Sequence, residues 1–408
     1  MEDAEEAERN QDALRRNPAL VCVFHASAMS LFPIAILTLF LRDDLALDMA
    51  DVFLLQAIFG GAVAALEFPG GYVADRIGYR RSLLLGSVLA SSGWVVYALA
   101  RDFLAIAVAE LWLAAGFALI SGADTALMYE SLLAVNEEPT YTRWFARYRS
   151  LGNVAEGTAA LAGSALYALW PRVPFALQAL LWLGNLGIAW RLVEPPRAAG
   201  AAGPAASHAL SILRYATLDA PRLRAVIGLF LALSLPVYCM IWILPTYARD
   251  SGVSAAWMGP IWAASSYVVA LGSITAPRIA ERIGQLPTLV GCVALVAVGY
   301  GGLGLTHAFW GFLFYGALCL VRGVLAPLLL HEEQRLIPSS DRASLLSLKS
   351  LGFRLAFCVI GPPIGYALDV AGQHTVLLAL AVPFTAVAAA ALWALVCARA
   401  PAVIPTRL

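Results

Sequence analysis

Charge is scarce in this sequence. Only 13% of its 408 residues are Asp, Glu, Lys or Arg, whereas a soluble domain carries about 25%. Lysine occurs once, at Lys349, so arginine supplies almost all the positive charge. So few charges cannot clothe a water-facing surface, which excludes an ordinary soluble protein. The formal net charge is zero, which argues against nucleic acid as a partner. Cysteine is equally uninformative as chemistry. Cys22, Cys239, Cys292, Cys319, Cys358 and Cys397 lie in or at the ends of apolar runs and form no CxxC pair. They read as small core residues, not as disulfides or metal ligands. No HExxH occurs, and His25, His307, His331 and His374 fall in separate segments. No GxxxxGK[ST] occurs either, so nothing points to ATP as a driving force. Neither an enzyme nor a metal or organic cofactor is expected.

Hydrophobic residues make up 61% of the chain, and the mean hydropathy is +0.76. A helix crossing a bilayer needs about 20 apolar residues. Twelve stretches meet that need: 19–41, 49–74, 82–100, 103–131, 151–170, 173–193, 225–247, 257–280, 286–306, 309–330, 348–368 and 376–397. The fourth is over-long and is expected to continue beyond the bilayer as helix. Arg15 and Arg16 precede the first run, but Ala19 to Leu41 is too long for a signal peptide and lacks a small-residue cleavage site. It reads as a span. The fold class expected is an all-α membrane protein with the lipid bilayer as its solvent.

Hydrophobicity breaks for long only once, at residues 194–224. The break opens Glu-Pro-Pro-Arg-Ala-Ala-Gly, a flexible composition. Ser207 to Arg224 is amphipathic and basic, so an interfacial helix is expected there. The domains are therefore a segment 1–18, a six-helix bundle 19–193, the linker 194–224, a second bundle 225–397 and a tail 398–408.

The basic residues orient these spans. With the N-terminus inside, 21 of the 27 Lys and Arg residues fall on the inner side and only 4 on the outer, at Arg42, Arg101, Arg172 and Arg249. Arg322 and Arg354 lie within spans. A wrong span count would scramble this alternation, so the positive-inside rule supports twelve helices with both termini cytoplasmic.

The two halves also repeat. Gly71-Tyr72-Val73-Ala74-Asp75-Arg76-Ile77-Gly78 matches Pro277-Arg278-Ile279-Ala280-Glu281-Arg282-Ile283-Gly284, and Arg149-Ser150-Leu151-Gly152 matches Lys349-Ser350-Leu351-Gly352. Each pair occupies equivalent positions, after spans two and eight and at the start of spans five and eleven. Two like-oriented bundles suit a machine that rocks about a central site.

Gly71-x-x-Ala74-Asp75-Arg76-x-Gly78-x-Arg80-Arg81 resembles the signature loop of the major facilitator superfamily, GxLaDrxGrk. Glu67-Phe68-Pro69-Gly70 and Asp341-Arg342-Ala343-Ser344 are similar to further family features, whereas Tyr79 departs from the usual basic residue. The resemblance covers nearly the whole chain. It implies two pseudo-symmetric six-helix bundles and a transporter working by alternating access. It also implies that this loop helps hold the outward-facing state, with Glu130 resembling the acidic partner at the end of span four. Physically, Asp75 can meet the positive end of a following helix. Arg76, Arg80 and Arg81 can pair with acids at neighbouring helix ends. Glu281 and Arg282 form the weaker copy.

Ionisable residues inside spans are costly and are functional candidates by default. Span four carries Glu110, span five Glu156, span ten Arg322, span eleven Arg354 and span one His25. A carboxyl can load and release a proton. An arginine stays charged and can neutralise that carboxyl or hold an anionic substrate group. Glu110 and Arg322 lie deepest. Glu156, Arg354 and His25 have competing readings as interfacial, snorkelling or structural residues. Glu67 and Asp124 sit nearer the inner side, where gating is expected. Tyr238, Trp242, Tyr247, Trp262 and Tyr267 occupy spans seven and eight, mostly as packing, with Trp242 a candidate for a bulky substrate.

Two drug-antiporter features are missing. Trp112 stands where an RxxqG pattern would place arginine before Gly116, and span five has Gly152, Gly157 and Gly163 without GPxxGG. The expectation is proton-coupled export of a small organic molecule by a monomer in a bacterial inner membrane. The alternatives are a nutrient or metabolite importer and a transporter-like receptor that moves nothing.

Overall fold

The structure is a computed structural model that describes residues 2–196, 220–336 and 342–398. Within these the chain is helical, linked by turns and short 3-10 segments. The first helices are α1 (Glu2–Met29), α2 (Leu37–Asp43), α3 (Met49–Ile77), α4 (Tyr79–Leu99), α5 (Phe103–Ile120), α6 (Ala123–Ala134), α7 (Tyr141–Leu169) and α8 (Val173–Arg191). Beyond the linker follow α9 (Pro221–Asp250), α10 (Met258–Ile283), α11 (Gln285–Leu305), α12 (Tyr315–Leu336), α13 (Arg342–Ala371) and α14 (Gln373–Cys397). Contacts sort the described residues into two compact units. The first holds those up to Leu47, those from Leu55 to Pro196, and Ala255–Ala263. The second holds Asp48–Leu54, Ala220–Ser254 and the described residues from Ala264 onward.

Among the described residues, nine stretches are long and apolar enough to cross a membrane. They coincide with the expected spans two, three, four, six, seven, nine, ten, eleven and twelve. Spans one, five and eight fall on α1–α2, α7 and α10. Helices α1, α7 and α10 run for 28, 29 and 26 residues, but polar side chains dilute their hydropathy. Arg143, Arg147, Arg149 and Glu156 do so in α7, and Ser265, Ser266 and Ser273 in α10.

Several boundaries differ from expectation for physical reasons. The first span is not one helix: α1 ends at Met29, and turns occupy the chain until α2 begins at Leu37. Pro33 lies in the break, where its ring cannot continue a helix. Inside a bilayer the freed backbone needs protein partners. The N–H of Phe32 donates to the buried Gln178 Oε1 at 3.0 Å. The carbonyl of Phe32 presses on α7 at Gly163, where any Cβ would collide with it. The fourth span breaks at Ser121–Gly122, where Gly122 takes φ +84. Span seven starts earlier than residue 225, with Pro221 in its first turn, a position that suits proline. Arg222 and Arg224 thus belong to α9 and not to an interfacial helix. Residues 207–219 of that expected helix, linker residues 197–206, Asp341 and residues 399–408 of the tail lie outside the described residues.

The internal repeat has a backbone counterpart. Helix α3 ends at Ile77 and α4 begins at Tyr79, with Gly78 between them at φ +110. Helix α10 ends at Ile283 and α11 begins at Gln285, with Gly284 between them at φ +93. Glycine alone adopts these angles without a Cβ penalty, so both copies of the motif need it at that place.

Each unit also ties helix ends together. In the first unit Asn17 Nδ2 donates to Ser131 Oγ at 2.8 Å and to the Val193 carbonyl at 2.7 Å, while the Val193 N–H donates back to Asn17 Oδ1. In the second, the Arg222 guanidinium reaches Glu332 Oε2 at 2.9 Å.

Candidate functional site

The sequence candidates resolve into separate clusters. Glu110 stands two turns into α5 and is 4% exposed. Its Oε1 accepts hydrogen bonds from Gln56 Nε2 of α3, at 3.1 Å, and from the Tyr97 hydroxyl of α4. Tyr97 is itself fixed by packing. Its ring stacks on Phe175 of α8 with centroids 5.6 Å apart, and Trp94 and Phe40 complete the aromatic cluster. The close approach that brings α4 to α5 depends on glycine, since a Cβ on Gly116 would stand 2.9 Å from the Gly86 carbonyl oxygen. Glu110 makes no ion pair among the described residues.

A second cluster joins α1, α6 and α7. Asp124 is buried in the first turn of α6. Its Oδ2 accepts from the Tyr148 hydroxyl at 2.6 Å, and its Oδ1 from the Thr125 N–H at 2.7 Å. The ring of His25 stacks on Tyr148 with centroids 3.5 Å apart, and its Nδ1 stands 3.9 Å from Asp124 Oδ2. Gly152 makes room for that imidazole: a Cβ there would lie 2.7 Å from His25 Nε2. His25 and Glu110 therefore belong to different clusters of one unit. Glu156, half-buried on α7, makes no hydrogen bond or ion pair among the described residues.

The signature loop has a carboxylate that sequence reasoning missed. At the N-terminus of α4 the N–H groups of Tyr79 and Arg80 donate to Glu194 Oε1 and Oε2, each at 2.8 Å. Gly78 cannot cap its own helix, so Glu194 does so from beyond α8. Arg80 returns the contact, its Nη2 donating to the Trp190 carbonyl at 2.8 Å near the C-terminal end of α8. Asp75, expected at this helix end, lies exposed in the last turns of α3, with Arg76 over the Tyr72 ring at 4.8 Å. Arg81 is exposed, and Glu130 of α6 makes no ion pair among the described residues. In the second unit Glu281 and Arg282 are exposed in the last turn of α10.

The second unit holds the remaining candidates. Trp242 of α9 is buried and meets Tyr238 edge-on at 5.9 Å. Tyr238 in turn packs edge-on against Phe353 and Phe357 of α13. The Trp242 Nε1 has no hydrogen-bond partner among the described residues. Arg354, beside Phe353, is half-buried. Arg322 is exposed on α12 and makes no hydrogen bond or ion pair among the described residues.

Residues 19–330 match the family model of the Major Facilitator Superfamily. No match among curated proteins reaches significance. Solved structures of similar fold include the nucleoside transporter NupG, at 14% identity and a TM-score of 0.76, covering 94% of this chain and 98% of that one. A POT family transporter in complex with 5-aminolevulinic acid is similar at 15% identity and a TM-score of 0.70, covering 93% and 96%. A bacterial homolog of the human lysosomal transporter Spinster is similar at 15% identity and a TM-score of 0.67, covering 95% of each chain. At such identities the likeness is one of fold.

Proposed function

The chain belongs to the Major Facilitator Superfamily, and from that premise we propose that it is a secondary active transporter working by alternating access. Its cargo is a small organic molecule, its coupling ion is the proton, and its direction is export. It resides in a bacterial inner membrane with both termini and the linker cytoplasmic, a topology supported by the arginine asymmetry.

Glu110 carries the proton reading. An isolated charge inside a span costs several kcal/mol, yet this carboxyl has no basic partner among the described residues. Its neighbours suit either protonation state. The Gln56 amide donates to a carboxylate or to an acid carbonyl, and the Tyr97 hydroxyl can donate or accept. A proton can therefore arrive at or leave the carboxyl while both contacts to Oε1 are kept. Arg322 supports the cargo reading, because a guanidinium stays charged at physiological pH and this one is exposed. It would hold an anionic group, and the Tyr238–Trp242–Phe353 cluster would hold an apolar one.

The test is transport of a panel of labelled organic solutes in proteoliposomes, with a pH gradient imposed in each direction. The wild type is expected to concentrate a solute against its gradient. Glu110→Gln, which keeps the shape of the site, should lose gradient-driven accumulation and retain exchange. Unchanged accumulation by Glu110→Gln would overturn the coupling role.

A further inference from the structure

Two histidines that lie far apart in sequence meet in space. His307 follows the end of α11, and His374 is the second residue of α14. Both lie at the end of the second unit opposite the Gly284 turn. Their rings are 3.9 Å apart, centroid to centroid, with 38° between planes.

Helix α9 fixes both segments. The Tyr247 hydroxyl donates to the Thr306 carbonyl at 2.7 Å, beside His307. Asp250, one turn further along α9, accepts from Gln373 Nε2 at 3.2 Å, beside His374. The Tyr247 ring lies 5.5 Å from that of His374. Two imidazoles are thus held side by side by three helices, and the second oxygen of Asp250 accepts from Arg249.

An independent observation points to a ligand. The Nδ1 of His374 is buried and has no hydrogen-bond partner among the described residues. A buried polar atom left so costs free energy, and a bound ion is one partner that satisfies it. His307 is exposed, which gives an ion a way in.

We propose that His307 and His374 bind a transition-metal ion of the Zn2+ or Cu2+ class through one nitrogen each, with water in the remaining positions. Imidazole is a preferred donor for these ions. Zn–N bonds of about 2.0–2.1 Å require the rings to open slightly from their present stack. No third His, Cys, Asp or Glu completes a ligand set among the described residues. The site is therefore open and exchangeable, not a sealed structural centre. A bound ion ties the end of α11 to the first turn of α14, on the face that the proposed topology puts outside the cell.

The experiment is isothermal titration of ZnCl2 into purified, tag-free full-length protein. The expected result is one Zn2+ per chain at pH 7.5. His307→Gln and His374→Gln should each weaken binding by about tenfold or more, since one ligand remains. His307 is exposed, so its variant keeps the test valid if His374→Gln fails to fold. Absent binding by the wild type, or binding that both variants retain, would overturn the proposal. Binding is read without transport, so it stands or falls separately from the transporter reading.

Discussion

Replacing Glu194 tests how the signature loop is held. In the folded chain its two carboxylate oxygens take the first two N–H groups of α4, at 2.8 Å each. An N-cap replaced by alanine costs about 0.5–2 kcal/mol, usually about 1. A negative charge at a helix N-terminus contributes about 0.3–1 kcal/mol more at a partly exposed site. Glu194 is half-buried, so water can replace part of what is lost and the upper bounds do not apply. For Glu194→Ala the sum is about 1.5–2 kcal/mol. Glu194→Gln keeps one acceptor oxygen and loses the charge, so about 1 kcal/mol is expected.

Amide hydrogen exchange reads this local free energy directly. A change of 1.4 kcal/mol is a factor of ten in an opening equilibrium. The peptide covering Tyr79 to Ser82 should therefore exchange roughly 10- to 30-fold faster in Glu194→Ala and about fivefold faster in Glu194→Gln. Peptides from α5 should not change. The end of α8 should loosen too, because Arg80 is positioned by the same contact and gives its Nη2 to the Trp190 carbonyl. Wild-type exchange rates at Tyr79–Ser82 in Glu194→Ala would refute the assignment of Glu194 as the cap of α4.

Three further outcomes follow from the same geometry. Asp75→Asn should insert and fold normally yet slow transport, since a contact worth about 1–3 kcal/mol between two states shifts their populations roughly 5- to 150-fold; wild-type rates under a pH gradient would remove Asp75 from gating. Gly163→Ala should destabilise the first unit by about 1–3 kcal/mol or more, because the new methyl collides with the Phe32 carbonyl; an unchanged melting temperature in detergent would mean the break at Ser30–Ile36 packs differently. Cysteines placed as Ala201→Cys and Asp250→Cys should be labelled from opposite sides of the membrane, and reaction of position 201 from outside intact cells would defeat the proposed topology.

Local chemistry makes much of the fold legible. Continuous apolar runs mark nine spans directly, and the matched motif identifies Gly78 and Gly284 as equivalent turns. What stays hidden is tertiary. Pro33 signals only that a helix cannot pass; the Gln178 amide that satisfies the break comes from α8. Spans one, five and eight are harder to delimit because their polar residues make contacts that hydropathy does not register. His25 of α1 is an example, resting on Tyr148 and beside Asp124. The candidate acids are visible, since a carboxyl inside an apolar run stands out. Their partners are not. Nothing about Gln56 or Tyr97 in sequence says that they converge on Glu110. Glu194 reads in sequence as part of a linker, because a cap supplied from a distant segment leaves no local pattern of the kind a Ser or Asp before its own helix leaves.

The matched turns are alike in backbone and unlike in how they are secured. The first has Glu194, which follows α8 and precedes the linker. The corresponding place in the second half follows α14, and the sequence holds no Asp or Glu after Asp369. No Asp or Glu side chain of α14 therefore caps α11, and Gly284 offers no side chain to do so. The equal hydrophobic pattern of the halves thus conceals an unequal electrostatic one. In the first half, Glu194 at the N-terminus of α4 and Arg80 at the C-terminal end of α8 join two helix ends, each charge placed at the matching end of a helix dipole. Asn17 adds a two-way amide pairing with Val193, the residue before Glu194. The segment leaving α8 is thereby anchored to α1 and α4 just before the chain passes to the second half. The signature loop thus has a structural task in this chain: it anchors the segment that leaves α8.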